Sequence, residues 1–217
     1  MNDFISMNFL NFLFRWGHLL FGITWIGMLY YFNFIQGAYF KEGTPEAVAD
    51  AKKKLAPRAL WWFRWGAMFT FITGVILLVG LFHQGVLNNS ILVGATMGTL
   101  MFLNVWLVIW PHQQIALGMK SGGDAAASAG KALLASRTNT LFSGPMAFFM
   151  LAGPHAGIGN GYGSPVGGLG FLLALAIIAL LEVNALVGKQ GPMASVKGVI
   201  HCSLGLAVVL VAIMSLL

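Results

Sequence analysis

Charge is what this sequence has least of. Only 12 Lys and Arg residues and 6 Asp and Glu residues occur among its 217 residues, so charged residues make up 8% of the chain. Soluble domains carry about 25%, and a soluble domain is therefore excluded for most of the chain. Hydrophobic residues make up 58%, and the mean hydropathy is +0.82. We predict a multi-pass membrane protein, with residues 1–217 forming a single integral-membrane helical domain.

Cysteine is almost absent as well. Cys202 is the only one, which excludes an intrachain disulfide, and the sequence has no Cys-x-x-Cys-His motif to attach haem covalently. Acidic residues are so few that the net charge is +6. The basic residues lie between apolar segments, where they orient membrane helices. This charge therefore does not indicate nucleic-acid binding.

Long apolar runs are what the sequence does contain. A membrane helix needs about 20 apolar residues. Segments of this kind occur at approximately 9–34, 60–82, 91–111, 138–153, 166–187 and 197–217. We therefore expect an all-α bundle of about six transmembrane helices in a lipid bilayer. Pro145 is expected to kink the fourth helix unless neighbouring groups satisfy the carbonyl that it frees.

The loops between these segments alternate in charge. The first, third and fifth contain lysine or arginine, whereas the second (83–90) and the fourth (154–165) contain none. Basic loops stay on the cytoplasmic side, so both termini are predicted to face outward from a bacterial inner membrane. Residues 44–54 are predicted to form a surface helix. The third loop, which includes Arg137, is expected to be a flexible linker or a short helix, and the glycine-rich fourth loop to be flexible.

Ionisable residues at membrane depth indicate functional sites. The first segment carries Arg15 and His18, and these share one face with Asn11 and Gly22 because all four recur at spacings of three and four residues. Gly22 leaves a notch one turn beyond His18. A histidine beside a glycine notch is what an intramembrane haem or a buried substrate requires, and we predict a site at this face.

Polar residues also interrupt the later segments. His83 is predicted to lie toward the outer side, together with Arg15 and His18, and Asn104 near the middle of the third helix. A further set is predicted toward the cytoplasmic side, namely Arg64, His112, Glu182, Asn184 and His201.

Neutral imidazole is a good ligand of iron, and two histidines from different helices can hold a non-covalent b-type haem. The candidate haem and metal ligands are His18, His83 and His201. Arg15 and Arg64 can bind haem propionates or an anionic substrate.

Structural roles for the same residues remain open. Each histidine can form an interhelical hydrogen bond or lie at a membrane interface. Glu182 can neutralise Arg64 or His201, and Arg64 can extend to the interface beside its tryptophan neighbours.

A tetrapeptide occurs twice. Residues 14–17, Phe-Arg-Trp-Gly, recur as residues 63–66, and an Ile-Thr pair follows at the same offset in both copies. The two copies would begin at opposite faces of the membrane, as in the inverted repeats of transporters. Two helices are too few to establish such a repeat.

Several stretches between Arg15 and Leu186 resemble the transmembrane N-terminal domain of the membrane-bound urate oxidase (urate hydroxylase) family. They are RWGHLLFGITWIGMLYYFNF, PRALWWFRWGAMFT, NVWLVIWPHQQ, SRTNTLFSGPMAFFM and EVNAL. The resemblance implies an integral-membrane oxidoreductase that hydroxylates urate towards 5-hydroxyisourate. Longer members end in a cytochrome c domain that accepts the electrons, whereas this sequence lacks the covalent haem motif.

The leading hypothesis is therefore a urate hydroxylase-like oxidoreductase that holds haem b through His18 and a second histidine. Arg15 and Arg64 would bind propionates or the urate anion, and Glu182 would carry protons, which makes Glu182 and Arg64 the candidate catalytic residues. Electrons would pass to a separate cytochrome c. The alternatives are a non-catalytic accessory subunit of a larger membrane complex and a small transporter, and homo-oligomers remain open in each case.

Overall fold

The computed structural model describes residues 7–158 and 166–217. Within these ranges the chain forms six long helices and no β-strand. In chain order they are α1, Met7–Glu42; α2, Pro45–His83; α3, Asn89–Ala116; α4, Ala125–Ala156; α5, Leu169–Val187; and α6, Val196–Leu216. The predicted all-α helix bundle is confirmed.

Five of these helices, all except α4, are long and apolar enough to cross a membrane. Large apolar side chains cover much of the outside of the bundle. Leu19, Ile23, Leu107, Leu172 and Leu204, for example, are each at least 60% exposed. So extensive an apolar exterior is unfavourable in water but matches the hydrocarbon of a bilayer. The chain is a multi-pass membrane protein.

Helix α4 differs from the other five because it lies inside the bundle. It packs against α1, α3, α5 and α6, and every residue from 134 to 143 is buried. This buried stretch is rich in Ser, Thr and Asn and includes Arg137. Its polar groups face neighbouring helices instead of lipid. Helix α4 is therefore less apolar than the helices that contact lipid, although it is 32 residues long.

Glycines allow the helices to approach closely. A Cβ atom added at Gly66 of α2 would lie 3.1 Å from the backbone nitrogen of Trp25 on α1. One added at Gly94 of α3 would lie 3.2 Å from the backbone nitrogen of Met150 on α4. Small residues at such contacts are typical of membrane helix packing, and here they bring α1 onto α2 and α3 onto α4.

Hydrogen bonds between side chains set the register of the helices around α4. Asn104 of α3 donates to Asn139 at 3.0 Å. On α1, Asn33 donates to Ser136 at 2.8 Å, and the hydroxyl of Tyr30 lies 2.9 Å from that of Ser143. In both helix pairs the residue numbers run in opposite directions, so α1 and α3 are antiparallel to α4.

Three of the long helices contain a π-helical turn. These turns span Tyr31–Gln36 in α1, Ala51–Leu55 in α2 and Asn104–Ile109 in α3. A π-turn inserts an extra residue and redirects the side chains beside it, and such turns are frequent at functional sites. The turns in α1 and α3 include Asn33 and Asn104, the same residues that hydrogen-bond to α4.

The structure corrects the sequence-based helix boundaries at two places. The predicted surface helix begins as expected, with Thr44 as its N-cap, but it continues through the π-turn into α2 instead of ending. Residues 125–136, predicted as a linker or a short separate helix, form the first three turns of α4 behind the N-cap Asp124. Most of the predicted flexible fourth loop, at 159–165, lies outside the described residues.

Candidate functional site

His18 occupies a defined position between α1 and α2. Its Nδ1 lies 2.9 Å from the carbonyl oxygen of Thr70 and 3.1 Å from the hydroxyl oxygen of Thr73. A carbonyl only accepts hydrogen bonds, so Nδ1 carries the proton that is shared with Thr70. In the neutral ring, Nε2 then keeps a free lone pair, which is the tautomer of a metal ligand whose other nitrogen donates to a backbone carbonyl.

A glycine of α2 makes room for this imidazole. A Cβ atom added at Gly74 would lie 3.0 Å from Cε1 of His18, so any larger residue would push the ring away. The sequence singled out Gly22 as the notch, whereas the glycine in contact with the ring is Gly74. The sequence carries no signal that pairs Gly74 with His18, because the two lie on different helices.

The other outer candidates, Arg15 and His83, are more exposed than His18. Arg15 and His83 are exposed, and Nδ1 of His83 lies 2.9 Å from the Val79 carbonyl oxygen of its own helix. His83 follows Thr73, the partner of His18, by ten residues, or about 15 Å along α2. The structure therefore does not bring His18 and His83 together.

His201 is exposed on α6, a helix that packs against α4 and α5. Within residues 7–158 and 166–217 there is no group of three or more His, Cys, Asp or Glu side chains that could hold a metal ion. A b-type haem needs only one or two protein ligands. His18 fits the role of one such ligand, and the identity of a second ligand remains a prediction.

Arg64, on α2, is held between aromatic rings. Its Cζ lies 3.3 Å from the centroid of the Trp110 ring and 5.6 Å from that of Trp106, and its Nε donates to the carbonyl of Leu60 at 3.2 Å. A guanidinium group over an indole face is a favourable cation–π arrangement. Among the described residues the only ion pair joins Lys54 and Asp50, so Glu182 does not neutralise Arg64 or His201.

Glu182 belongs to a hydrogen-bond chain that links three helices. Its carboxylate on α5 accepts from the side-chain amide of Asn104 at 3.1 Å. The same amide nitrogen donates to Asn139, whose own amide donates to the Met101 carbonyl at 2.9 Å. Because an amide nitrogen has two hydrogens, both bonds of Asn104 can form at once.

A groove between α3 and α5 exposes this carboxylate. The groove has a volume of about 370 Å³ and is lined by Thr96, Leu100, Leu175, Ile178, Ala179 and Glu182. Glu182 is half-buried. It therefore combines an internal hydrogen-bond partner with a position in a groove whose other lining residues are mostly apolar.

Arg137 is the functional candidate that the sequence analysis missed. Only 8% of its surface is exposed, and no described residue forms a hydrogen bond with its Nε or Nη1. The sequence predicts a basic cytoplasmic loop for this residue, because Lys120 and Lys131 precede it. The polar run Ser136–Thr140 around it, inside a longer helical stretch, is the signal that could have placed it in the core.

Other buried polar atoms without a described partner occur on α1 and α3. The helix register places Asn33 beside Ser136, the neighbour of Arg137. Trp106 lies on α3 and faces α2, where its ring is 5.9 Å from that of Trp65. Oδ1 of Asn33 and Nε1 of Trp106 also have no described partner.

Comparison with family models, with curated proteins and with solved structures finds no match to this chain. The fold and the arrangement of its polar residues define the class of the protein, an α-helical multi-pass membrane protein with ionisable groups at membrane depth. Its relation to the urate hydroxylase family remains an expectation from the sequence.

Proposed function

We propose that the chain is a membrane-embedded oxidoreductase of the urate hydroxylase type that holds a b-type haem through His18. The observation that carries the proposal is the hydrogen bond from Nδ1 of His18 to the carbonyl of Thr70. It leaves Nε2 as the free nitrogen, as in histidines that ligate a metal.

The surroundings of His18 add support. The second acceptor, Thr73, donates its own hydroxyl proton to the Phe69 carbonyl at 2.7 Å, so its oxygen lone pairs face His18. Gly74 then leaves the ring unobstructed on that side. Two acceptors and a glycine keep the imidazole in one orientation, which lowers the cost of ligand binding.

The remaining candidates would act around this histidine. Arg15 lies one turn before His18 on α1, where its guanidinium can reach an anionic group such as a propionate. When bound, haem supplies one-electron redox chemistry. Glu182 would be the proton carrier, with its carboxylate oriented by the hydrogen bond from the Asn104 amide. Arg64, which is stacked on Trp110, is a positioning residue rather than a direct contact to substrate. Electrons would leave to a separate cytochrome c.

A spectrum tests the haem step. We would purify the protein in mild detergent and record a dithionite-reduced minus oxidised difference spectrum. A b-type α-band near one or two haems per chain is expected, and His18→Ala should abolish it. His155→Ala, at the exposed end of α4, is the matched control and should retain it.

A second variant separates ligation from a merely structural role. Gly74→Ala would press on Cε1 of His18 and should shift the α-band or lower the haem content in a folded protein. A colourless wild-type preparation that is folded and monodisperse would overturn the haem proposal, and so would an unchanged band in both His18→Ala and Gly74→Ala.

A non-catalytic accessory subunit is the second candidate, and the exposure of several ionisable residues favours it. Arg15, His83 and His201 are exposed on the bundle, although ionisable groups at membrane depth usually face protein. A second subunit or a second copy would cover them. In that case the chain would be colourless, and its complex in mild detergent would have a mass well above 23.3 kDa after correction for bound detergent.

A further inference from the structure

We infer that the groove between α3 and α5 binds a lipid-soluble phenol, the chemical class that includes membrane hydroquinones. The phenol hydroxyl would donate a hydrogen bond to the Glu182 carboxylate, which lines the groove together with Thr96, Leu100, Leu175 and other α5 residues. Binding at this groove requires no haem, so the site is independent of the one proposed at His18.

The groove faces the hydrocarbon of the bilayer. Next to its lining residues in the sequence, Leu103 of α3 is 39% exposed, and Leu180 and Val183 of α5 are 70% and 56% exposed. Exposed apolar side chains of this kind contact acyl chains in a membrane. Ala179, which lines the groove, is itself exposed. A ligand therefore enters from the bilayer, and it has to be soluble in lipid.

The groove has a polar end and an apolar end. Glu182 lies five residues before the end of α5 at Val187, or about 7.5 Å along the helix axis. Leu175 lies a further two turns, about 10 Å, toward the middle of the bilayer. The other polar lining residue, Thr96, donates its hydroxyl proton to the Leu92 carbonyl of its own helix at 2.8 Å. The groove therefore suits a ligand with a polar head near the helix end and an apolar tail directed inward.

One oxygen of the Glu182 carboxylate is available to such a head group. Its Oε2 accepts from the amide of Asn104 at 3.1 Å, and the same amide also donates to Asn139. These bonds hold the carboxylate in one orientation and leave Oε1 for a donor in the groove. No described basic side chain forms an ion pair with Glu182, since the one ion pair of the described residues joins Lys54 and Asp50. A ligand that donates to Oε1 would lower the cost of placing this group among apolar side chains.

The single acceptor also specifies the kind of donor. An ammonium group carries three N–H donors, and Glu182 could satisfy only part of them. The rest would lie unpaired among apolar side chains, which is unfavourable. A hydroxyl group has one donor, which one carboxylate oxygen satisfies. A phenol is more acidic than an aliphatic alcohol and is therefore the stronger donor to a carboxylate.

Photolabelling of the protein in phosphatidylcholine nanodiscs tests this site. The probe is 4-decylphenol with a photoreactive diazirine in its tail. We expect saturable labelling within residues 96–100 and 175–182, located by mass spectrometry. Unlabelled 4-decylphenol should abolish the labelling. Its methyl ether, 4-decylanisole, should compete about tenfold more weakly, because it cannot form the hydrogen bond to the charged carboxylate.

Three variants separate the hydrogen bond from the shape of the groove. Glu182→Met keeps an unbranched side chain but removes the acceptor, so the phenol and its methyl ether should then compete equally. Ala179→Leu fills part of the groove at an exposed position that should tolerate it, and it should weaken labelling by the probe. Ala176→Leu is the matched control, because Ala176 is exposed on the same helix but does not line the groove, and it should leave labelling unchanged.

Several results would overturn the site. Equal competition by 4-decylphenol and 4-decylanisole in the wild-type protein would show that the groove holds only an acyl chain. Stronger competition by decylammonium than by 4-decylphenol would show that it selects a cation. Labelling that is not saturable, or that Ala179→Leu does not weaken, would exclude the groove as the binding site. None of these measurements depends on haem, so failure of the haem proposal gives a different result.

Discussion

Residues 14–17 and 63–66 have the same sequence, Phe-Arg-Trp-Gly, but very different surroundings. Phe14 is 37% exposed, whereas Phe63 is 1% exposed and its ring packs edge-on against that of Phe32. Trp16 is 53% exposed, whereas the ring of Trp65 lies 5.9 Å from that of Trp106. The first copy faces outward near the start of α1, and the second is packed between α1 and α3.

The glycines of the two copies differ in the same way. A Cβ atom added at Gly17 would meet only the ring of Phe21, at 3.7 Å, whereas one at Gly66 would lie 3.1 Å from the Trp25 backbone. Identical tetrapeptides therefore acquire different roles from the helices that pack against them. The comparison can be tested with the same substitution in each copy, because each variant then has its own matched control.

Substitution of phenylalanine should show the largest difference in stability between the two copies. Phe63→Ala removes a ring from the fully packed core and should lower the free energy of unfolding by about 3 kcal/mol. Hydrocarbon surrounds the bundle whether the protein is folded or unfolded in the membrane, so moving the ring out of the core costs little. Most of the loss therefore comes from the cavity that the ring leaves behind. Phe14→Ala should cost well under half as much. Reversible unfolding by SDS in mixed micelles measures both variants, and equal losses would show that the second copy is not a packing centre.

Substitution of glycine should show the next largest difference in stability between the two copies. Gly66→Ala forces α1 and α2 apart, because the nearest atoms belong to the backbone of Trp25 and cannot rotate away. We expect a loss of about 1–3 kcal/mol, as for overpacking elsewhere. Gly17→Ala should be neutral or slightly stabilising, because alanine favours helix over glycine and the Phe21 ring can adjust. The same unfolding assay applies, and a neutral Gly66→Ala would contradict the close approach of these helices.

The sequence predicted the fold well because hydropathy reports on lipid contact. Five helices follow directly from their apolar length. The sequence was least informative for α4, whose buried residues contact protein instead of lipid. Its start at 125–136 is rich in small residues and resembled a linker, so its first three turns and Arg137 were assigned to a loop, whereas 138–153 were assigned to a helix.

The candidate site was predicted in part for a related reason. His18 stood out because it is an ionisable group in an apolar helix. Its partners on α2, Thr70, Thr73 and Gly74, could not be identified, because residues more than fifty positions apart become neighbours only through helix register. The same limit applies to the link between Glu182 and Asn104, which joins α5 to α3.

Arginine should show the smallest difference in stability. Arg64→Gln removes the cation from the face of Trp110 and the bond from Nε to the Leu60 carbonyl. Since Arg64 is only half-buried, we expect a loss of about 1 kcal/mol, in the range of partly exposed cation–π pairs. Arg15→Gln, at an exposed position, should not change the free energy of unfolding measurably.

A double-mutant cycle identifies the source of the Arg64 effect. If the stacked pair carries it, Arg64→Gln should have little further effect in a Trp110→Leu background, because the contact is already lost. An undiminished effect in that background would attribute it to the Leu60 bond instead.

In the haem spectrum the order of the two arginines should be reversed. Arg15→Gln should change the spectrum, because Arg15 is adjacent to His18, whereas Arg64→Gln should not, because its tryptophans hold Arg64. A spectral change in Arg64→Gln alone would reverse the roles proposed for the two copies.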